Sequence, residues 1–185
     1  MGASQGFGRG VALLRGINVG RAKRIAMVEL RALFAELGFT DVHTVLNSGN
    51  VVFTSRARDA AGAAALIEAA LVERLGVASR VTVLDAAALA TLVDHNQLAA
   101  VCEDHARLLA FTLAGAPQRA LLAPLAARDW GEDRLHLADK SAYVACPGGV
   151  LDSKLAMTVT RLLGESTTSR NWNTILKLHA LCNGG

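Results

Sequence analysis

Arg15, Asn18 and Lys23 stand in one glycine-punctuated loop, Arg15-Gly16-Ile17-Asn18-Val19-Gly20-Arg21-Ala22-Lys23, and a second polar group, Asn47-Ser48-Gly49-Asn50, follows further along the chain. Glycines let a backbone come close to a ligand, an asparagine side chain both donates and accepts, and the two cations attract negative charge. That is equipment for holding a small anion. It is not a known phosphate loop, because the G-x-G-x-x-G and Gly-Lys-Ser spacings are missing and Gly6-Phe7-Gly8-Arg9-Gly10 precedes the strand instead of following it. A plain connecting loop with glycines at positive φ explains the first stretch equally well. The second is foremost a turn, because Asn and Gly tolerate the left-handed region; Asn47, Ser48 and Asn50 are its candidate contacts. Ser48 lacks the G-x-S-x-G elbow and a histidine at useful spacing, which speaks against a nucleophile.

Two further groups lie near the C-terminus. Gly149-Val150-Leu151-Asp152-Ser153-Lys154 leads into a helix whose first amides attract anions, and Lys154 in the first turn opposes the helix dipole unless an anion or acid is close. Thr167-Thr168-Ser169-Arg170-Asn171-Trp172-Asn173 reads as a second helix start, where Arg170, Asn171 and the Trp172 indole could hold a planar or anionic group. Trp172 serves equally as a core filler. The five histidines are scattered and read as structural, and no catalytic residue is assigned. Cys102-Glu103-Asp104-His105 sets a thiol and an imidazole at helical spacing, but two further ligands are missing, so no metal and no cofactor is expected.

Charge position says more than charge sum. Net charge is +3, too little to coat nucleic acid, yet residues 1–28 carry five basic groups and no acid. Residues 29–152 are net acidic, and residues 153–185 return to basic through Lys154, Arg161, Arg170 and Lys177 against Glu165. The pattern suggests that the two ends gather around an anion. The 185 residues are 52% apolar with only eight aromatics, so a core must rest on Ala, Leu and Val. No apolar run is long enough to span a bilayer, no secretory signal opens the chain, and three widely spaced cysteines fit reduced thiols. A cytoplasmic protein is expected, with a small anionic ligand as partner and neither sequence-specific nucleic acid nor membrane.

The elements that must position these residues follow from periodicity and punctuation. Val11–Leu14 is a buried strand, Met27–Leu37 a helix stopped by Gly38, and Val42–Leu46 with Val51–Thr54 a hairpin. Asp59 caps a long Ala-rich helix ending at Leu75 and Gly76; Ser79–Leu84 is a strand, and Asp85 caps a helix to about Val93. The same order then repeats: strand Leu108–Leu113, a helix opened by Pro117, strands Leu135–Leu137 and Ala142–Ala145, helix Ser153–Leu163, strand Glu165–Ser169, helix Arg170–Leu181. Strand-helix-strand-strand-helix-strand is the ferredoxin-like unit. The expected fold is therefore α+β, two ferredoxin-like halves in tandem packed as one globule. Residues 1–9 form a flexible N-terminus, 10–94 the first half, 95–106 a connector and 107–185 the second half. An RNA-recognition role lacks its stacking aromatics, since strand 1 has none and strand 3 offers only Phe53.

These stretches carry a resemblance. Ala12-Leu13-Leu14-Arg15-Gly16-Ile17-Asn18-Val19-Gly20, Met27–Phe39, Ser48–Phe53, Ser153-Lys154-Leu155 and Thr168–Leu178 resemble the uncharacterised bacterial family called domain of unknown function 1697. Asn47 departs from the Gln that members tend to have, and Arg21-Ala22-Lys23-Arg24 departs from a Gly-Lys-type run. The resemblance implies a cytosolic bacterial α+β protein and brings no activity, cofactor or catalytic residue. The leading expectation is a binding protein for a small anionic or nucleotide-like ligand between the halves. An enzyme acting on a phosphorylated or nucleotide substrate and a protein interaction module are the alternatives.

Overall fold

The computed structural model describes residues 6–19, 23–56 and 59–184. Gly20, Arg21 and Ala22 of the expected ligand loop, and residues 1–5 of the expected flexible N-terminus, lie outside the described residues. The chain divides into two compact units, the first formed by residues 1–89 with 178–185 and the second by residues 90–177.

In the first unit β1 (Gly8–Leu14), α1 (Met27–Glu36), β2 (Thr40–Val45), β3 (Asn50–Ser55), α2 (Ala60–Leu75) and β4 (Val81–Asp85) follow in order, and α3 (Ala86–Asp94) starts after them. Helix bounds follow the punctuation. The Asp59 carboxylate accepts from the Gly62 N–H at 2.6 Å, and Gly76 closes α2 at φ 64. Asp85 accepts from the Ala88 N–H at 2.7 Å and so starts α3. Strand order is β2-β3-β1-β4, all pairs antiparallel, as the ferredoxin-like unit requires. Strand β1 begins three residues before its predicted start, because Gly8, Arg9 and Gly10 pair with Ser55, Thr54 and Phe53.

Alternation along the strands turns Ala12, Leu14, Val51, Phe53, Val81 and Val83 to one face. There Leu30, Leu33 and Phe34 of α1 and Ala63, Ile67, Ala70 and Leu71 of α2 close over them. Alanines on α2 give way to the sheet, and the volume is made up by rings. Phe53 meets Phe34 edge-on at 5.3 Å, Phe39 at 4.7 Å and Phe7 edge-on at 5.8 Å.

The second unit holds β5 (Leu108–Thr112), α4 (Ala116–Ala126), β6 (Arg134–Leu137), β7 (Ser141–Ala145), α5 (Lys154–Leu163) and β8 (Ser169–Asn171), and α6 (Trp172–Cys182) begins in it. Its sheet order is β6-β7-β5-β8, the same topology again. Phe111, Ala142 and Val144 pack under Leu122 and Leu125 of α4 and Leu155, Val159 and Leu163 of α5. Two four-stranded antiparallel sheets, each with its helices, make the chain an α+β protein of two like halves.

One element is displaced from its predicted place. Glu165 and Ser166 lie in a single 3-10 turn, and the last strand is Ser169–Asn171, which takes Arg170 and Asn171 out of the predicted helix. The cause is tertiary: Asn171, Arg170 and Ser169 pair with Leu109, Ala110 and Phe111, and the Thr168 carbonyl accepts from the Thr112 N–H at 3.2 Å. Asn171 then ends the strand and caps the helix at once, accepting from the Thr174 N–H at 2.9 Å.

Candidate functional site

The end of β1 and the turn before β3 lie on one rim of the first sheet, because Leu13 pairs with Asn50 and the Leu14 N–H donates to the Gly49 carbonyl at 2.8 Å. Asn18 binds the two segments together. Its Nδ2 donates to the Asn47 carbonyl at 2.8 Å and to the Ile25 carbonyl at 3.0 Å, and its Oδ1 accepts from the Ile25 N–H at 2.9 Å. Its own N–H donates to the Lys23 carbonyl at 3.0 Å. Beneath it Ile17 and Ile25 are buried in the core, which anchors the loop from below. From the other side, the Arg15 N–H donates to the Arg80 carbonyl at 2.9 Å and the Arg15 carbonyl accepts from Ser79 Oγ at 2.9 Å.

Asn18, Lys23 and Leu46 all take left-handed backbone angles, φ 55, 53 and 59. Asparagine tolerates that region because its short side chain bonds locally, as it does here. Asn18→Ala removes three side-chain hydrogen bonds and the left-handed preference together, and is expected to cost about 2 kcal/mol in a denaturant melt. A loss below about 0.5 kcal/mol would show that the clamp is idle.

The structure sorts the predicted ligand residues. Lys23, Asn47 and Ser48 are exposed, and Arg15 is half-buried on the same rim. Asn18 is spent on the clamp. Asn50 is fully buried, with Nδ2 donating to the Val45 carbonyl at 2.9 Å and to Ser48 Oγ at 3.0 Å, so it shapes the turn and does not face solvent. Ser79, Ile17 and Ile25 carry no signal in the sequence that would have marked them as supports.

In the second unit the predicted groups separate. Lys154 lines a surface hollow of about 530 Å³ with Arg128, Asp129, Glu132, Asp133 and Asp152. Four carboxylates against two cations give this hollow an acidic balance. Ser153 does cap α5, its Oγ accepting from the Ala156 N–H at 2.9 Å while donating to Asp133 Oδ2 at 2.7 Å. Arg170 and Asn171 are not among the hollow's walls. Register puts Arg170 beside Ala110 and Tyr143, on the sheet face opposite α4 and α5. Burial pushes its guanidinium down to about 10, still charged at neutral pH. Trp172 is core: it is 2% exposed and sets its ring against Tyr143 at 6.2 Å, edge to face. Tyr143 in turn donates to the Leu92 carbonyl at 2.7 Å.

Burial raises the thiol pKa of Cys102, Cys146 and Cys182. Among the described residues no group of three His, Cys, Asp or Glu side chains is placed to hold a metal ion. Nor, among them, is any helix long and apolar enough to cross a membrane.

Comparison with known proteins gives fold and family without an activity. The family model described as protein of unknown function (DUF1697) matches residues 8–143. Among solved structures the chain is similar to a conserved bacterial protein from Streptococcus pneumoniae, at 21% identity and a TM-score of 0.72, over 95% of this chain and 98% of that one. No curated protein matches the chain.

Proposed function

Given that the chain belongs to the DUF1697 family, proteins of unknown function, we propose that it binds a small anionic, phosphate-bearing ligand on the rim of its first unit. Arg15 and Lys23 supply the charge, and the exposed Ser48 hydroxyl and Asn47 amide lie on the adjoining turn. The observation that carries the reading is the Asn18 clamp, which fixes a cationic loop against a polar turn before any ligand arrives. Pre-organisation of this kind lowers the entropy cost of binding. The absence of any acid from residues 1–28 keeps the charge of the loop uncompensated along the sequence.

Thermal denaturation with inorganic phosphate and with nucleotides tests this. A ligand at 100 times its Kd raises stability by about 2.7 kcal/mol, and Lys23→Ala is expected to remove most of that rise. If no anion shifts the melt, or if Lys23→Ala shifts as far as the parent, the rim is scaffolding.

A further inference from the structure

The same rim exposes aliphatic side chains that nothing in the core requires. Val19 is 70% exposed on the loop, Val28 63% at the first turn of α1, and Leu46 54% at the turn before β3. Hydrogen bonds tie these positions together, since Asn18 reaches both Asn47, next to Leu46, and Ile25, three residues before Val28. Leu46 is the most telling of the three. It is held at φ 59, a conformation that disfavours any branched side chain, and about half of its surface is exposed. Glycine or asparagine would sit there with less strain, so the leucine brings no local advantage to the fold.

Several other exposed aliphatics sit beside acids, although Leu162 and Leu176 adjoin Arg161 and Lys177. Leu151 adjoins Asp152, Val101 is followed by Glu103, and Val72 adjoins Glu73. Around Val19, Val28 and Leu46 the charged neighbours along the chain are Arg15, Arg21, Lys23, Arg24, Glu29 and Arg31, and the Glu29 carboxylate accepts from the Ala26 N–H at the helix start at 3.2 Å. Arg80, beside Arg15, is answered by Glu68 at 3.1 Å.

We propose that this rim docks on the headgroup layer of an anionic phospholipid membrane, with Lys23 and Arg15 on the phosphates and Val19, Val28 and Leu46 dipping among the acyl-chain ends. The proposal rests on the phosphate reading above and names the source of the phosphate. Small apolar tips interleaved with cations suit a fluid interface, where each side chain finds its own depth. A protein partner would instead need a contiguous complementary face of ordinary interface size. No bilayer span is involved; three side chains on separate turns register in no hydropathy window.

The test is co-sedimentation of the full chain with vesicles of phosphatidylcholine alone and of phosphatidylcholine mixed with phosphatidylserine, at low and high salt. The parent is expected to sediment with the anionic vesicles only and to be released by salt. Leu46→Asn is expected to lower the bound fraction about tenfold while melting at a higher temperature than the parent and keeping its shift with inorganic phosphate. Val19→Ser acts the same way on the vesicles. Lys23→Ala weakens both phosphate and vesicle binding. Sedimentation that ignores Leu46→Asn and Val19→Ser, or that is equal with neutral vesicles, overturns the proposal. A phosphate shift without vesicle binding overturns it too and leaves the anion reading standing, whereas loss of both removes the two together.

Discussion

Phe53→Ala is expected to lower the unfolding free energy by about 4 kcal/mol, within the range for emptying a large aromatic from a packed core. Phe53 is fully buried on the central strand β3, and its ring touches those of Phe7, Phe34 and Phe39. Those three belong to different parts of the chain, the residue before β1, helix α1 and the loop before β2. No single neighbour can collapse into the space without leaving its own contacts. With Ala on both β1 and α2 facing the same region, the surroundings have little flexible volume to lend. Phe53→Leu keeps most of the volume and is expected to cost about 1.5 kcal/mol, so the difference between the two isolates the cavity from the loss of aromatic pairing. Urea melts of the two variants supply the numbers. A loss under about 1.5 kcal/mol for the alanine variant would mean that α1 closes over the gap.

How much of this was legible beforehand divides along a physical line. Elements whose ends are set by residues acting on their own neighbours were readable: Asp59 and Gly76 bound α2, Asp85 starts α3, Ser153 caps α5, and all of them act within a turn of themselves. The topology was readable too, since element order determined the strand order of both sheets. Strand β8 was misplaced because nothing in Ser169-Arg170-Asn171 alternates in polarity; it exists through backbone pairing to β5, which only the folded chain supplies. Local signals there, a run of Thr and Ser before an Asn, announce a helix start, and Asn171 does cap one.

The candidate site shows the same division at the level of side chains. Asparagine was noted at positions 18 and 50 because it can meet a ligand with donor and acceptor together. That same chemistry lets it bind two stretches of backbone, and both residues are used in this way. Residue type cannot distinguish the two uses, since the atoms and bonds are identical. Trp172 was equally ambiguous, and burial against Tyr143 decides it. Lys154 looked cationic in isolation; the acids that share its hollow, Asp129, Glu132 and Asp133, come from the segment joining α4 to β6, far away in sequence. The feature of the first rim that needs no partner to be read is a stretch of cations without acids along the sequence.

Gly49→Ala is expected to destabilise the first unit by about 3 to 4 kcal/mol and to take the rim apart as it does so. Two costs add. Gly49 has φ 76, where an L side chain costs about 1 to 2 kcal/mol. A methyl at that position would also stand 2.8 Å from Leu14 Cβ and 2.8 Å from both Cγ1 and Cδ1 of Ile17. Overpacking of a core adds about 1 to 3 kcal/mol more. Relief can come only by moving Ile17 or by lifting the turn. Either motion pulls on the Asn18 clamp, since Asn18 follows Ile17 and bonds the Asn47 carbonyl. Gly16→Ala provides the control. Gly16 lies on the same rim at φ 65, but its added methyl would meet nothing within 4 Å, so only the conformational cost of about 1 to 2 kcal/mol applies. The gap between the two variants in a melt measures the packing contribution alone. Phosphate binding should fall for Gly49→Ala even at temperatures where the variant is folded. Equal melts for the two glycine variants would show that the turn moves away from Ile17 freely, and a rim that loose could not hold a ligand site in advance.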